Sequence, residues 1–222
     1  PVQVAAARRI YAGATKSDGT RLMLGQVRGS EAGWLAQNGG KTPGGSSSEF
    51  WKLTVFQDPN FQNVNFDFDK DVERALNTKV SNSSLPQVYD QKVDFDAFRA
   101  RGGKFIFFQG WADSVITPMM DVDFYHRVAA RYGQAKTDDF FRFFLLPGMG
   151  HCGGGDGPNT FDTLSALEQW VENGKAPEKM IASRVTNGQV DRTRPLCVYP
   201  QVAKYNGSGS IDDAANFSCK QP

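Results

Sequence analysis

The rhythm of hydrophobic positions divides this chain before its middle. Up to about Tyr89 the apolar residues come in short, irregular groups. Val4, Ala7 and Ile10 recur every third residue and Tyr11 follows, which predicts a short helix over 4–11. A short strand is expected over 21–24, and the aromatic-rich stretch from Phe50 to Phe56 is expected to pack. Residues 39–48, Gly-Gly-Lys-Thr-Pro-Gly-Gly-Ser-Ser-Ser, have the composition of a flexible loop. Phe66-Asp67-Phe68-Asp69-Lys70-Asp71 leads into a helix through Leu76, and its acidic residues suit a helix N-terminus.

From about Gln91 the pattern sharpens. Phe95 to Arg101 reads as a short helix stopped by Gly102-Gly103. Lys104 to Gln109 is continuously apolar rather than alternating, which predicts a buried strand. After a loop from Gly110 to Ile116, Thr117 caps a helix with Pro118 in its first position. That helix runs to about Tyr132 and stops at Gly133. Phe140 to Leu146 is the next buried strand. Phe161 to Val171 follows as an amphipathic helix with Phe161, Leu164, Leu167, Trp170 and Val171 on one face, ended by Gly174. Met180 to Val185 is the last strand expected.

Strand, loop, helix, repeated, is the α/β signature. The 118–132 helix is long enough for a crossover, so the two strands should run parallel. Their carboxyl ends then share one edge of the sheet, where ligands bind in open α/β folds. The loops carrying Asp113 and His151 leave from that edge.

Charge adds little. A net charge of +1 provides no field for nucleic acid or an acidic membrane, and no apolar run approaches a membrane span. The chain opens Pro1-Val2-Gln3-Val4, with neither an initiator Met nor a charged-then-apolar leader, and reads as the interior of a longer protein. Its 3 cysteines are an odd number. Cys197 and Cys219 lie in the weakly periodic C-terminal part and could pair with each other. Cys152 would then be a free thiol, or bonded to a cysteine in a missing segment.

There are 2 histidines. His126, mid-helix among Phe124, Tyr125 and Arg127, reads as an ordinary helical residue. His151 lies just past a buried strand, in the Gly/Pro-rich loop from Pro147 to Pro158, and is the better candidate. A catalytic histidine needs a carboxylate to fix its tautomer and stabilise the imidazolium. Asp113 follows the preceding strand, although capping its own loop would be the ordinary role of an aspartate there. Acid before base matches the last two members of the Ser, Asp, His order of α/β hydrolases. No Gly-x-Ser-x-Gly elbow occurs, and Gly44-Gly45-Ser46-Ser47-Ser48 is loop composition. In that chain order the serine belongs N-terminal to Asp113, so truncation upstream would explain its absence.

Competing motifs are weaker. Cys152 is a poor nucleophile for His151 because adjacent side chains rarely face each other. Gly148 to Gly153 fits Gly-x-Gly-x-x-Gly, but the helix starts only after Pro158 and no strand ending in an acid follows at the required distance. Asp67, Asp69, Asp71 and Glu73 lack the glycine and terminal glutamate of a calcium loop, where Val72 and Thr78 stand. The cysteine and histidine spacings make no zinc site.

Several segments together resemble the tannase and feruloyl esterase family. They are Gly102-Gly103-Lys104-Phe105-Ile106, Gly110-Trp111-Ala112-Asp113, and Pro147-Gly148-Met149-Gly150-His151-Cys152 with the three glycines after it. Trp170-Val171-Glu172-Asn173-Gly174-Lys175-Ala176-Pro177, Arg192 to Pro200 and Tyr205 to Phe217 match too. The similarity is clear from about Ala100 to Cys219 and looser before, through Arg28-Gly29-Ser30-Glu31, Trp34 and Phe66-Asp67-Phe68-Asp69. The resemblance implies an α/β fold in which residues 1–91 are the C-terminal part of an inserted lid domain and 92–222 the C-terminal part of an α/β-hydrolase core. It implies that Asp113 and His151 are the catalytic acid and base. It pairs Cys197 with Cys219, and Cys152 with a cysteine just before the nucleophilic serine, in the missing N-terminal half. Ile116 is the candidate for the acyl pocket and Trp34 for a substrate contact from the lid. A calcium site would belong to the missing part of the lid, and no cofactor or metal is expected in this chain. The expected substrate is a small aromatic ester (hydroxycinnamoyl, galloyl or similar), free or attached to plant cell-wall sugar, and the expected location is secreted or periplasmic. A different reading is that the chain is a non-catalytic carbohydrate- or ester-binding fragment.

Overall fold

The computed structural model describes residues 1–34, 49–86 and 92–222, so the expected loop over 39–48 lies outside the described residues. The chain forms two compact units, Pro1–Gln26 with Glu31–Lys92, and Val27–Ser30 with Val93–Pro222.

In the first unit, helix α1 (Val2–Ala12) buries no residue. The strand expected over 21–24 is reduced to one bridge between Thr15 and Arg21. The N–H groups of Leu22 and Met23 both turn to the carbonyl of Ala14, so no ladder can propagate. Phe50–Phe56 is a π-helix. Its Val55 and Phe56 are buried with Ala75 and Leu85, against Phe50, Trp51, Phe61 and Phe66. Phe56 stacks on Phe61 with centroids 3.9 Å apart. Helix α2 (Asp71–Asn77) carries Asp71 and Glu73 in its first turn, the favourable end for negative charge. Two short strands, β1 (Lys79–Val80) and β2 (Ser83–Ser84), pair antiparallel.

The second unit holds the larger core. Helix α3 (Asp96–Ala100) leads to strand β3 (Phe105–Gly110). Helix α4 (Pro118–Tyr132) follows, with Pro118 in its first turn and the Thr117 side chain accepting from the N–H of Met119. A short helix that the pattern did not predict, α5 (Gln134–Asp138), precedes strand β4 (Phe141–Leu146). β3 and β4 are parallel and in register from Phe105 opposite Phe141 to Gly110 opposite Leu146. Alternate residues face opposite sides, as the pleat requires. Phe141 and Phe143 join Val122, Phe124, Tyr125 and Val128 of α4, with Phe105 and Phe107 packed against them. Phe144 and Leu146 face the other way with Met149, Met180, Ala182 and Leu196. Arg142 interrupts the apolar run because its guanidinium reaches Glu178 at 3.0 Å and covers the Trp170 ring.

Three further expectations need correction. β3 is only half-buried, with Phe108 37 % exposed, because β4 is its sole strand neighbour among the described residues. Helix α6 (Thr163–Asn173) begins after Phe161, with Asp162 accepting from the N–H of Ser165 as its cap. Its expected apolar face is therefore not buried as a unit: Trp170 is buried, whereas Leu164 and Val171 are exposed. Finally, the strand near 180–185 is not the last. β5 (Lys179–Thr186) turns at Asn187-Gly188, both at positive φ, into β6 (Gln189–Cys197). This is the hairpin turn that Asn-Gly favours. β7 (Val202–Tyr205) and β8 (Phe217–Lys220) pair antiparallel after it, and Cys197 is disulfide-bonded to Cys219.

Candidate active site

Because β3 and β4 end level with each other, the loops after Gly110 and Leu146 leave the same edge of the sheet. They are stitched together at once. The N–H of Trp111 donates to the Leu146 carbonyl and that of Ala112 to the Met149 carbonyl, each at 2.9 Å. The approach demands glycine at 110, since a Cβ there would lie 2.4 Å from the Gly150 oxygen and 2.5 Å from that of Met149. The histidine loop closes on itself. The N–H of Gly157 donates to the Gly148 carbonyl and that of Gly150 to the Gly154 carbonyl. Gly155 sits at φ 84, and a Cβ there would fall 2.1 Å from the Gly148 oxygen.

This closure brings Asp113 and His151 together. Asp113 is fully buried, and its Oδ2 lies 2.8 Å from Nδ1 of His151. A carboxylate oxygen only accepts, so Nδ1 is the protonated nitrogen. Oδ1 accepts from the N–H groups of Val115 at 2.7 Å and Ile116 at 3.0 Å. Oδ2 also accepts from Nε2 of Gln109 at 2.8 Å. Burial by itself pushes the Asp113 carboxyl up. The bond from His151, then those from Ile116, Val115 and Gln109, outweigh burial and hold it below the ordinary carboxylate range. The His151 side chain is 46 % exposed, and Nε2 makes no hydrogen bond among the described residues. An imidazole oriented at Nδ1 and open at Nε2 can take a proton from one group and deliver it to another.

The other expected site residues fall as follows. Ile116 follows Asp113 closely and its side chain is 44 % exposed. Trp34 lies in the first unit, edge-on to Tyr11 with centroids 4.9 Å apart. Cys152 is exposed and unbonded, at φ 57. His126 bonds the hydroxyl of Tyr199 at 3.0 Å, a surface contact. Gln109 was missed. Its signal was a lone polar residue closing an apolar strand, four positions before the acid. Beside the histidine loop, the second unit has an open pocket of about 800 Å³ lined by both stems of that loop, Trp111, Val122, Leu145, Tyr199, Arg192 and Arg194. Among the described residues no group of three or more His, Cys, Asp or Glu could hold a metal ion.

A parallel strand pair with helices packed on it, its edge loops joining a buried aspartate to an open histidine, has the form of the acid–base part of an α/β-hydrolase-like fold. The family model for tannase and feruloyl esterase matches residues 1–220, and the chain belongs to that family. It is 37 % identical over 223 residues to an uncharacterised esterase from Xanthomonas campestris, covering 84 % of this chain and 39 % of the relative. It is 35 % identical over 254 residues to the mono(2-hydroxyethyl) terephthalate hydrolase of Piscinibacter sakaiensis, covering 100 % of this chain and 42 % of that one. The crystal structure of an esterase from Aspergillus oryzae superposes with a TM-score of 0.87 at 29 % identity, covering 98 % of this chain and 46 % of that one. The chain thus spans about two fifths of the length of the curated relatives it matches.

Proposed function

We propose that this chain is the acid- and base-bearing part of a serine carboxylic ester hydrolase acting on aromatic esters. In this reading residues 92–222 end the catalytic core and residues 1–91 end its lid. The observation that carries it is the 2.8 Å contact between buried Asp113 and half-exposed His151. His151 Nε2 removes the serine proton as the hydroxyl oxygen attacks the ester carbonyl carbon. It then donates that proton to the leaving alcohol, and activates water to release the acyl group. Asp113 holds the Nδ1–H tautomer and balances the imidazolium.

The serine and the oxyanion donors come from chain upstream of these residues. The exposed thiol of Cys152, adjacent to His151, is suited to a disulfide with a cysteine beside that serine. The family description and the terephthalate-ester relative favour an aromatic acyl group, and the exposed Ile116 side chain, close after Asp113, is its contact in the second unit. A disulfide among the described residues favours an oxidising location, secreted or periplasmic. No helix among them is long and apolar enough to cross a membrane. In the whole protein, His151→Ala should lower kcat on methyl ferulate or methyl gallate by about 10⁴-fold or more. Full activity in that variant would refute the assignment.

The absence of a Gly-x-Ser-x-Gly elbow from these 222 residues, with the pocket beside the histidine loop, favours a second reading for the chain by itself: a non-catalytic ester- or carbohydrate-binding piece. Turnover by the 222-residue chain alone would contradict it.

A further inference from the structure

We propose that Gln109 is the positioning residue of the Asp113–His151 pair, aiming Asp113 Oδ2 at the imidazole and holding the 110–116 loop shut. This rests on the esterase reading above. Nε2 of Gln109 donates to Asp113 Oδ2 at 2.8 Å and to the Ile116 carbonyl at 3.3 Å. Both partners are acceptors, so the amide has one permitted orientation, and each of its hydrogens has its own partner.

The origin of that side chain matters. Oδ1 of Asp113 is held by Val115 and Ile116, which belong to the loop and move with it. Among the described residues, and apart from His151, Gln109 is the donor to Asp113 that comes from outside the loop. Its backbone lies inside β3, opposite Leu145, where a shift would break the register with β4. One side chain therefore ties both the acid and the far end of its loop to the sheet. The amide is also a neutral donor. It stabilises the carboxylate anion without titrating, and leaves the negative charge of Asp113 to balance the imidazolium.

The test uses the whole protein with methyl ferulate. Gln109→Met keeps the side-chain length and removes the donor. It should lower kcat about tenfold to a hundredfold with KM changed less than about twofold, because orientation rather than binding is lost. Gln109→Glu sets a second carboxyl against Asp113, at a separation where the two share one proton. While it holds that proton the new carboxyl donates in place of the amide, so kcat per site should stay nearer wild type than in Gln109→Met at acidic pH. It should fall, on an alkaline limb that wild type lacks, as the shared proton is lost. Burst titration counts folded active sites, so each kcat is expressed per competent site. The proposal is overturned if Gln109→Met keeps kcat per site within about twofold of wild type, or if Gln109→Glu shows no alkaline limb beyond that of wild type. Loss confined to the number of active sites, the sign of a purely structural role, overturns it equally. His151→Ala separates the levels: if it remains active the esterase reading fails, and if it is inactive while both Gln109 variants match wild type, only the role of Gln109 fails.

Discussion

At Asp113 burial and hydrogen bonding pull in opposite directions, and the bonds prevail. Asp113→Asn would keep Oδ1 on the two backbone N–H groups and turn an NH₂ toward two other donors, Gln109 and His151. Two donors cannot share a bond, so the histidine would be driven to the tautomer whose Nε2 carries the proton and cannot act as a base. If the esterase reading proposed above holds, Asp113→Asn in the whole protein should lose about 10⁴-fold in kcat on methyl ferulate. The same carboxylate links stability to pH. Its carboxyl is more acidic in the folded chain than in the unfolded one, so the folded form binds fewer protons. Its contribution is complete above the ordinary carboxylate value of about 4 and is lost as pH falls through the lowered folded value. Urea midpoints measured from pH 5 to 2 should fall more steeply for wild type than for Asp113→Asn. Equal slopes would show that this bond network adds no stability. That Asp113 and His151 follow consecutive strands of one sheet edge could be read from the sequence, although an aspartate there could as well have capped its own loop. The role of Gln109 could not be read, because a polar residue at the end of a strand has many ordinary uses and only the folded loop shows what it touches.

At the scale of elements, the site depends on how closely two loops approach. Gly110→Ala would place a methyl group against the Gly150 and Met149 carbonyl oxygens, neither of which can swing aside. The histidine loop would have to shift, costing about 1–3 kcal/mol and lengthening the Asp113–His151 contact. A lowered Tm is expected and, on the esterase reading, a reduced kcat of the whole protein on methyl ferulate; wild-type values of both would contradict the packing argument. Helix α4 was legible to the residue because its ends are chemical: Thr117 and Pro118 at the start, Gly133 at the stop. The buried face of α6 was less so. Leu164 and Val171 have the right spacing, but spacing says nothing of whether a partner surface is present, and these two side chains are exposed. The β5–β6 hairpin carried a readable signal in Asn187-Gly188. Its strands alternate weakly, however, and their pairing is made by residues up to 18 positions apart, Lys179 with Cys197.

For the molecule as a whole, the C-terminal strands are tied by the Cys197–Cys219 bond across 22 positions. A loop of that length predicts about 3 kcal/mol of stabilisation through the unfolded chain. Urea unfolding of the oxidised protein against Cys197→Ala/Cys219→Ala should show a loss of this size, and an unchanged midpoint would show the tether to be idle. The sequence by itself determined the alternation of strand and helix, the ends of the main helix, and the order acid then base on consecutive strands. These follow from backbone preferences and apolar spacing within a few residues. Only the tertiary structure decided that Asp113 is buried while His151 stays open, that Gln109 reaches the same oxygen as the histidine, and that β3 keeps a half-bare face. Each depends on which distant segments come into contact. A residue's exposure and hydrogen-bond partners belong to those contacts and not to its neighbours along the chain.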